Sequence, residues 1–181
     1  MATIIERLIE DHRNIELLIC VIEDEIKTFE AGERPDYEMV RMVLNYLLTY
    51  PDLGHHPIED AIVQQLETRT TEHDVPGTSS LEIEHQRLAS IIRRFLAAIN
   101  NILADTMLPR EWFSTIAHDF IKFQRKHMQM EEVIIFPAAK HTLTDEDWAK
   151  INIGISRQED PIFGPNPDPA FAELRGYIDN K

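Results

Sequence analysis

The sequence predicts an all-α fold, a bundle of four long helical segments followed by a short helical extension. Three observations carry that prediction. Apolar residues recur in steps of three and four over four stretches, glycine, proline and small polar residues punctuate the gaps, and the second pair of stretches repeats the first. With 181 residues and 43% hydrophobic content, one contiguous core is the default.

The first stretch reads Ile5, Leu8, His12, Ile15, Ile19, Ile22, Ile26 and Phe29, a sustained seam with His12 inside it. "AGERPD" at 31–36 ends it, and a second helical pattern runs through Tyr37, Val40, Leu44 and Leu47. "YPDLGHHP" interrupts that pattern, which resumes as His55, Ile58, Ile62 and Leu66. One bent helix or two short ones are expected, with Pro57 near the restart, where its missing N–H does little harm. "TTEHDVPGTSS" at 70–80 is a loop by composition, and its serines can cap the next helix. That helix reads Leu81, His85, Leu88, Ile92, Phe95, Ile99 and Ile102. After "DTMLPRE" the fourth runs Phe113, Ile116, Phe120, Phe123, His127, Met130 and Ile134, with Pro137 expected to close it. The Phe113, Phe120 and Phe123 stripe is read as core packing.

The bundle is placed at residues 1–142 and the extension at 143–181. Thr144 to Asp147 resembles a capping box opening a short helix with Trp148 and Ile151, a proline-rich stretch occupies 161–169, and a last helical segment is expected from Pro169 to Ile178. Trp148, Ile162 and Phe163 are apolar enough to pack on the bundle or on a second copy of the chain, which makes a homodimer one assembly the tail would suit.

His12 and His85 are 73 residues apart, while His55 to His127 and Glu59 to Glu131 each span 72, so residues 1–70 and 75–142 read as two copies of one helix pair. "DHRNIELL" answers to "EHQRLASI" and "HHPIED" to "HMQMEE". A bundle with pseudo-twofold symmetry follows. Residues i and i+4 of a helix lie about 40° apart, so His55/Glu59 and His127/Glu131 each aim an imidazole and a carboxylate at one point in the interior. With His12 and His85 these pairs supply four nitrogens and two carboxylates, a dinuclear set by count. Each carboxylate can bridge two cations, and an oxo or hydroxo bridge with an open position completes five- or six-coordination. Nitrogen and oxygen donors without thiolate suit iron or manganese, and zinc less well. Two ionised carboxylates in an apolar interior would cost several kcal/mol without cations, roughly.

A single histidine on an apolar stripe is more often a hydrogen-bonded core residue than a ligand. Four on four stripes, in a repeated frame with two glutamates at i+4, point to a metal. His56 lies about 100° round the helix from His55, and its counterpart in the other half is Met128. Asp11, Asp60, Glu84 and Glu132 adjoin the candidate ligands and are expected to be solvated rather than to orient imidazoles. His73, His118 and His141 are expected on the surface, and Tyr46 and Tyr50 reach the site only if the bend at Pro51 turns them inward.

These residues resemble the hemerythrin-like, HHE cation-binding family over about residues 1–142, through the "DH" of the first helix, "HHPIED", "EHQRL" and "HMQMEEVIIFP". The resemblance implies an antiparallel up-down four-helix bundle holding a non-heme di-iron centre. His12 and His55 would then sit on one iron, His85 and His127 on the other, and Glu59 and Glu131 would bridge. Oxygen-carrying hemerythrins have a fifth histidine one turn from the third-helix ligand; Leu81 and Ala89 stand at those places here. The vacancy could take dioxygen, nitric oxide or peroxide, or be filled by His56, Glu16 or Glu132. Manganese and zinc are the substitutes for iron.

Thirty-two acidic against eighteen basic residues give a net charge of −14, which argues against nucleic acid and anionic membranes as partners. No apolar run spans a bilayer, the N-terminal residues mix charge with apolar side chains unlike a signal peptide, and the lone Cys20 excludes an internal disulfide or an all-thiolate metal site. A cytoplasmic location is expected. The expected function is binding of, or reaction with, dioxygen, nitric oxide or peroxide, in sensing or stress protection. An iron-handling or storage protein and a metal-stabilised interaction bundle are the alternatives. No catalytic residue or substrate pocket can be named from the sequence, which leaves turnover open.

Overall fold

The computed structural model describes residues 3–70, 74–154 and 159–180. These are helical throughout their regular structure, with no strand among the described residues: α1 (Ile4–Glu30), α2 (Tyr37–Gly54), α3 (His56–Glu67), α4 (Leu81–Leu103), α5 (Arg110–Met130), α6 (Phe136–Thr142), α7 (Asp145–Gly154) and α8 (Ala172–Asp179). A capping box that "TIIE" encodes starts α1: the Thr3 hydroxyl accepts from the Glu6 N–H at 3.2 Å and the Glu6 carboxylate accepts from the Thr3 N–H. Asp36 caps α2 by accepting from the Met39 N–H.

Contacts at the helix ends set the direction of each rod. His12 near the start of α1 meets His55 just past the end of α2. His85 near the start of α4 meets His127 near the end of α5, and Arg110 at the start of α5 donates to the Phe29 carbonyl near the end of α1. Since α1 packs against α2 and α5, and α4 against the same two, the rods form a closed up-down bundle.

Two rods are interrupted where they carry site residues. Between α2 and α3 the helix is distorted at His55 (φ −117°, ψ −68°), with Pro51 inside α2 and Pro57 in the first turn of α3. Two short helices therefore replace one. The fourth rod continues past Pro137: α5 runs into a π turn, Glu131–Ile135, in which the Phe136 N–H bonds to the Glu131 carbonyl five residues back, and α6 follows. Pro137 does not close the helix as its sequence position implied. It falls in the first turn of α6, beside the wider turn, where a missing N–H and a ring too close to a preceding carbonyl are more easily accommodated. The serine cap before α4 is also not formed: Ser80 occupies the cap position, but its hydroxyl donates to the Gly77 carbonyl.

The apolar interior falls into two blocks. One holds Ile15, Leu18, Ile22, Leu44, Leu88, Phe95, Phe113 and Phe120 toward one end of the bundle. The other holds Ile5, Leu8, Ile58, Ile62, Leu81, Ile135 and Phe136 toward the opposite end. Each such side chain contributes about 1.5–3 kcal/mol on burial. His12, His55, His85 and His127 lie at the chain positions between the blocks.

The tail packs on the bundle. α7 lies against α3, where the buried Asp147 carboxylate accepts from Arg69, Gln65 and the Thr144 N–H, the last within the expected box. Ile162 and Leu174 are fully buried in the larger apolar block, and the Tyr46 hydroxyl donates to Asp160 at 2.7 Å.

Candidate metal centre

The layer between the apolar blocks is built by four rods. α1 brings His12, the α2–α3 junction His55, His56 and Glu59, α4 His85, and α5 with its π turn His127 and Glu131. Glu59 and Glu131 are both 0% exposed. Glu59 Oε1 lies 3.0 Å from His55 Nε2 and 3.5 Å from His12 Nε2, while its Oε2 lies 3.3 Å from His85 Nε2. Glu131 Oε2 lies 3.4 Å from His12 Nε2, and its Oε1 lies 3.2 Å from His127 Nε2 and 3.7 Å from His85 Nε2. Each carboxylate thus turns one oxygen to the His12/His55 side and the other to the His85/His127 side. These contacts lie off the hydrogen-bonding directions, so all four oxygens are buried without an aligned donor among the described residues. Orphaned anionic oxygens of this kind fit a cation, which would supply the missing counter-charge.

The imidazoles are held from behind. His12 Nδ1 bonds to Glu132 Oε1 at 2.9 Å, His55 Nδ1 to Asp11 Oδ2 at 3.1 Å and His127 Nδ1 to Glu84 Oε2 at 3.2 Å. Asp60 Oδ1 stands 3.3 Å from His85 Nδ1. A carboxylate at Nδ1 fixes the tautomer with its proton there and leaves the Nε2 lone pair for a metal. Three of the four acids expected to be merely solvated, Asp11, Glu84 and Glu132, therefore orient rings, while Asp60 stands beside His85 Nδ1 without an aligned hydrogen bond. Each of the four sits next to a site residue of its own helix and faces a ring on the neighbouring rod, in a circuit from α1 to α3 to α4 to α5 and back.

In the metal-free protein the charges pair among themselves. Burial pushes the His12, His55 and His85 imidazoles down, but the carboxylates around them outweigh it. They hold His12 up at about 10 through Glu131 and Glu59, His55 at about 9 through Glu59 and Asp11, and His85 at about 11 through Asp60, Glu131 and Glu59. Burial likewise pushes Glu59 and Glu131 up, and Glu59 adds repulsion at Glu131, yet the surrounding imidazoles hold both below the usual carboxylate range. His56 differs: burial pushes it down and Asp52 only partly offsets this.

A family model, the hemerythrin HHE cation binding domain, matches residues 3–143. The chain belongs to the hemerythrin HHE cation-binding family. A comparison with curated proteins gives no match. The buried cluster of histidine and glutamate can hold metal.

Of the three residues considered for the open position, Glu16 is far from this use. Arg125 binds it through two nitrogens, Nε at 3.0 Å and Nη2 at 2.6 Å, and also binds Glu23. Glu132 is an orienting acid for His12, and its own side chain is 43% exposed. His56 is the one brought in. It is buried, stacks on His85 with ring centres 4.0 Å apart, and belongs with Glu59, His85 and His127 to a group whose donor atoms lie within 4.8 Å of one another. Tyr46 and Tyr50 stack on each other, and the Tyr46 hydroxyl is committed to Asp160. His118 is exposed and pairs with Glu30, His141 is exposed, and His73 lies outside the described residues.

Proposed function

We propose that this HHE protein is a non-heme di-iron protein whose centre binds or reacts with dioxygen, nitric oxide or peroxide in the cytoplasm, in sensing or stress protection. The observation that carries the reading is the pair of fully buried glutamates, each dividing its two oxygens between two imidazole pairs. His12 Nε2 and His55 Nε2 stand 3.2 Å apart, close to the roughly 3 Å expected of neighbouring donors about 2.1 Å from a shared ion. When bound, iron supplies a redox-active Lewis acid for a small ligand.

The chain's own part is positioning and exclusion. Asp11, Glu84 and Glu132 keep protons on Nδ1 and aim Nε2 inward. Phe136, stacked at 5.6 Å on His12, helps wall the layer from water. A cleft bordered by Asp11, Tyr50, Ile58 and Asp160 reaches the carboxylate that backs His55. No helix among the described residues is long and apolar enough to cross a membrane. The burial of both glutamates argues against a readily exchanged iron store. Protein purified without added metal should contain two irons per chain, and exposing the anaerobically reduced form to air should bring up ferric charge-transfer absorption. One zinc per chain, or iron with a featureless spectrum, overturns the reading.

A further inference from the structure

We propose that His56 is a fifth imidazole donor, making the centre unequal, with three imidazoles on the His85/His127 side and two on the His12/His55 side. The inference rests on the di-iron reading for its setting but on separate observations for its substance. In an unbroken helix His56 would face about 100° away from its neighbour. The chain instead breaks at His55 (φ −117°, ψ −68°), and α3 begins afresh at His56. That break sets the His56 ring parallel to His85, within 16°, and edge-on to His127 at 6.3 Å.

His56 is also prepared like the other rings. Its Nδ1 bonds to Asp52 Oδ1 at 3.0 Å, the same back support that Glu132, Asp11 and Glu84 give their partners. Nε2 is the nitrogen left over. A purely structural histidine buried in an apolar block would need an inward partner for that nitrogen. A ring nitrogen of His56 lies within 4.8 Å of donor atoms of Glu59, His85 and His127, all metal-capable. The first half thereby places its second histidine on the second half's metal position.

The test uses cobalt(II), whose visible bands report the number and type of its donors, on the full chain and on the H56A and H56M variants. Methionine is the second choice because it occupies the equivalent, buried position 128. Helical circular dichroism identifies a folded variant. The expected result is a changed cobalt spectrum and release to a chelator at least about tenfold faster from one of two positions, since even orienting residues change affinity roughly 10–100-fold. Free imidazole added to H56A should restore the original bands, which a packing role would not produce. Unchanged bands and release in a folded variant overturn the proposal. One cobalt per chain in the wild type would defeat the di-iron reading while H56A still decides on His56; no cobalt binding at all would defeat both.

Discussion

The two halves of the bundle, residues 1–70 and 75–142, carry the same plan and depart from it at different points. In both, a long helix brings one histidine and an interrupted rod brings a histidine followed four residues later by a glutamate. The orienting acids obey the same frame: Asp11 behind His55 corresponds to Glu84 behind His127, and Asp60 at His85 to Glu132 behind His12. The interruptions do not correspond. The first half breaks before its glutamate, at His55, and the second widens into a π turn that begins at its glutamate. What the halves share makes a buried site that can hold metal, and where they differ bears on which extra side chains stand beside it: His56 from the break, Phe136 from the π turn.

The strongest way to break the shared part is to neutralise both glutamates. E59Q/E131Q keeps shape but removes the two anions that face both imidazole pairs, and metal binding should be lost beyond detection by metal analysis of dialysed protein. The fold should persist, because without the two anions the imidazoles lose their protons and no unpaired charge is left buried. Tight binding in the folded double variant would show that the carboxylates are bystanders.

Protons give the next largest effect. In the metal-free protein His12, His55 and His85 are held at about 10, 9 and 11, above the ordinary value of 6.5. Loading at pH 7 must displace these three protons, and a dye in weak buffer should register at least that many per fully loaded chain. Because the His12/His55 side gives up two of them, its apparent affinity should rise about 100-fold per pH unit between pH 7 and 9. The sign for stability runs the other way. Folded values raised above unfolded ones stabilise fully below about 6.5, and that contribution is lost as pH rises through about 9 to 11. Thermal melts of metal-free protein should therefore fall across that window, whereas loaded protein, its imidazoles already deprotonated, should not follow.

The circuit of orienting acids offers a finer comparison. D11N and E84Q remove equivalent supports from the two halves, and each should weaken metal binding by roughly 10–100-fold. Competition titrations should place the two within a few-fold of each other if the repeat governs the circuit. A large disparity would confine the symmetry to the helices.

How far the sequence reveals this depends on whether a feature follows from periodicity. The four rods and His12, His55, His85, His127, Glu59 and Glu131 follow from a helical repeat copied once, and the structure brings those six side chains into one layer. His56 does not, because the 100° step holds only in an unbroken helix, and the chain breaks one residue earlier. The π turn escapes a reading in which Pro137 simply ends a helix. The orienting acids look like ordinary solvated neighbours because each serves a ring on another rod. The signal was in the repeat: an acid directly precedes His12 and His85 and directly follows Glu59 and Glu131. Glu16 is open in the sequence, but Arg125, 109 residues away, binds it.

M128H tests whether residue type or backbone path creates a donor at the position after the histidine. Met128 corresponds to His56, but α5 is unbroken there, and Met128 faces the larger apolar block at 6% exposure. An imidazole at that place should gain no metal contact and should leave its polar nitrogens among aliphatic groups, destabilising the protein by about 1–3 kcal/mol. For a chain of this length that is a fall in Tm of about 2–4 °C per kcal/mol, with cobalt bands and metal stoichiometry unchanged. A tightened metal or a new band would mean that the second histidine suffices by itself and that the break at His55 is incidental. A cooler melt with an unaltered centre would assign the inequality of the two metal positions to the break in the first half.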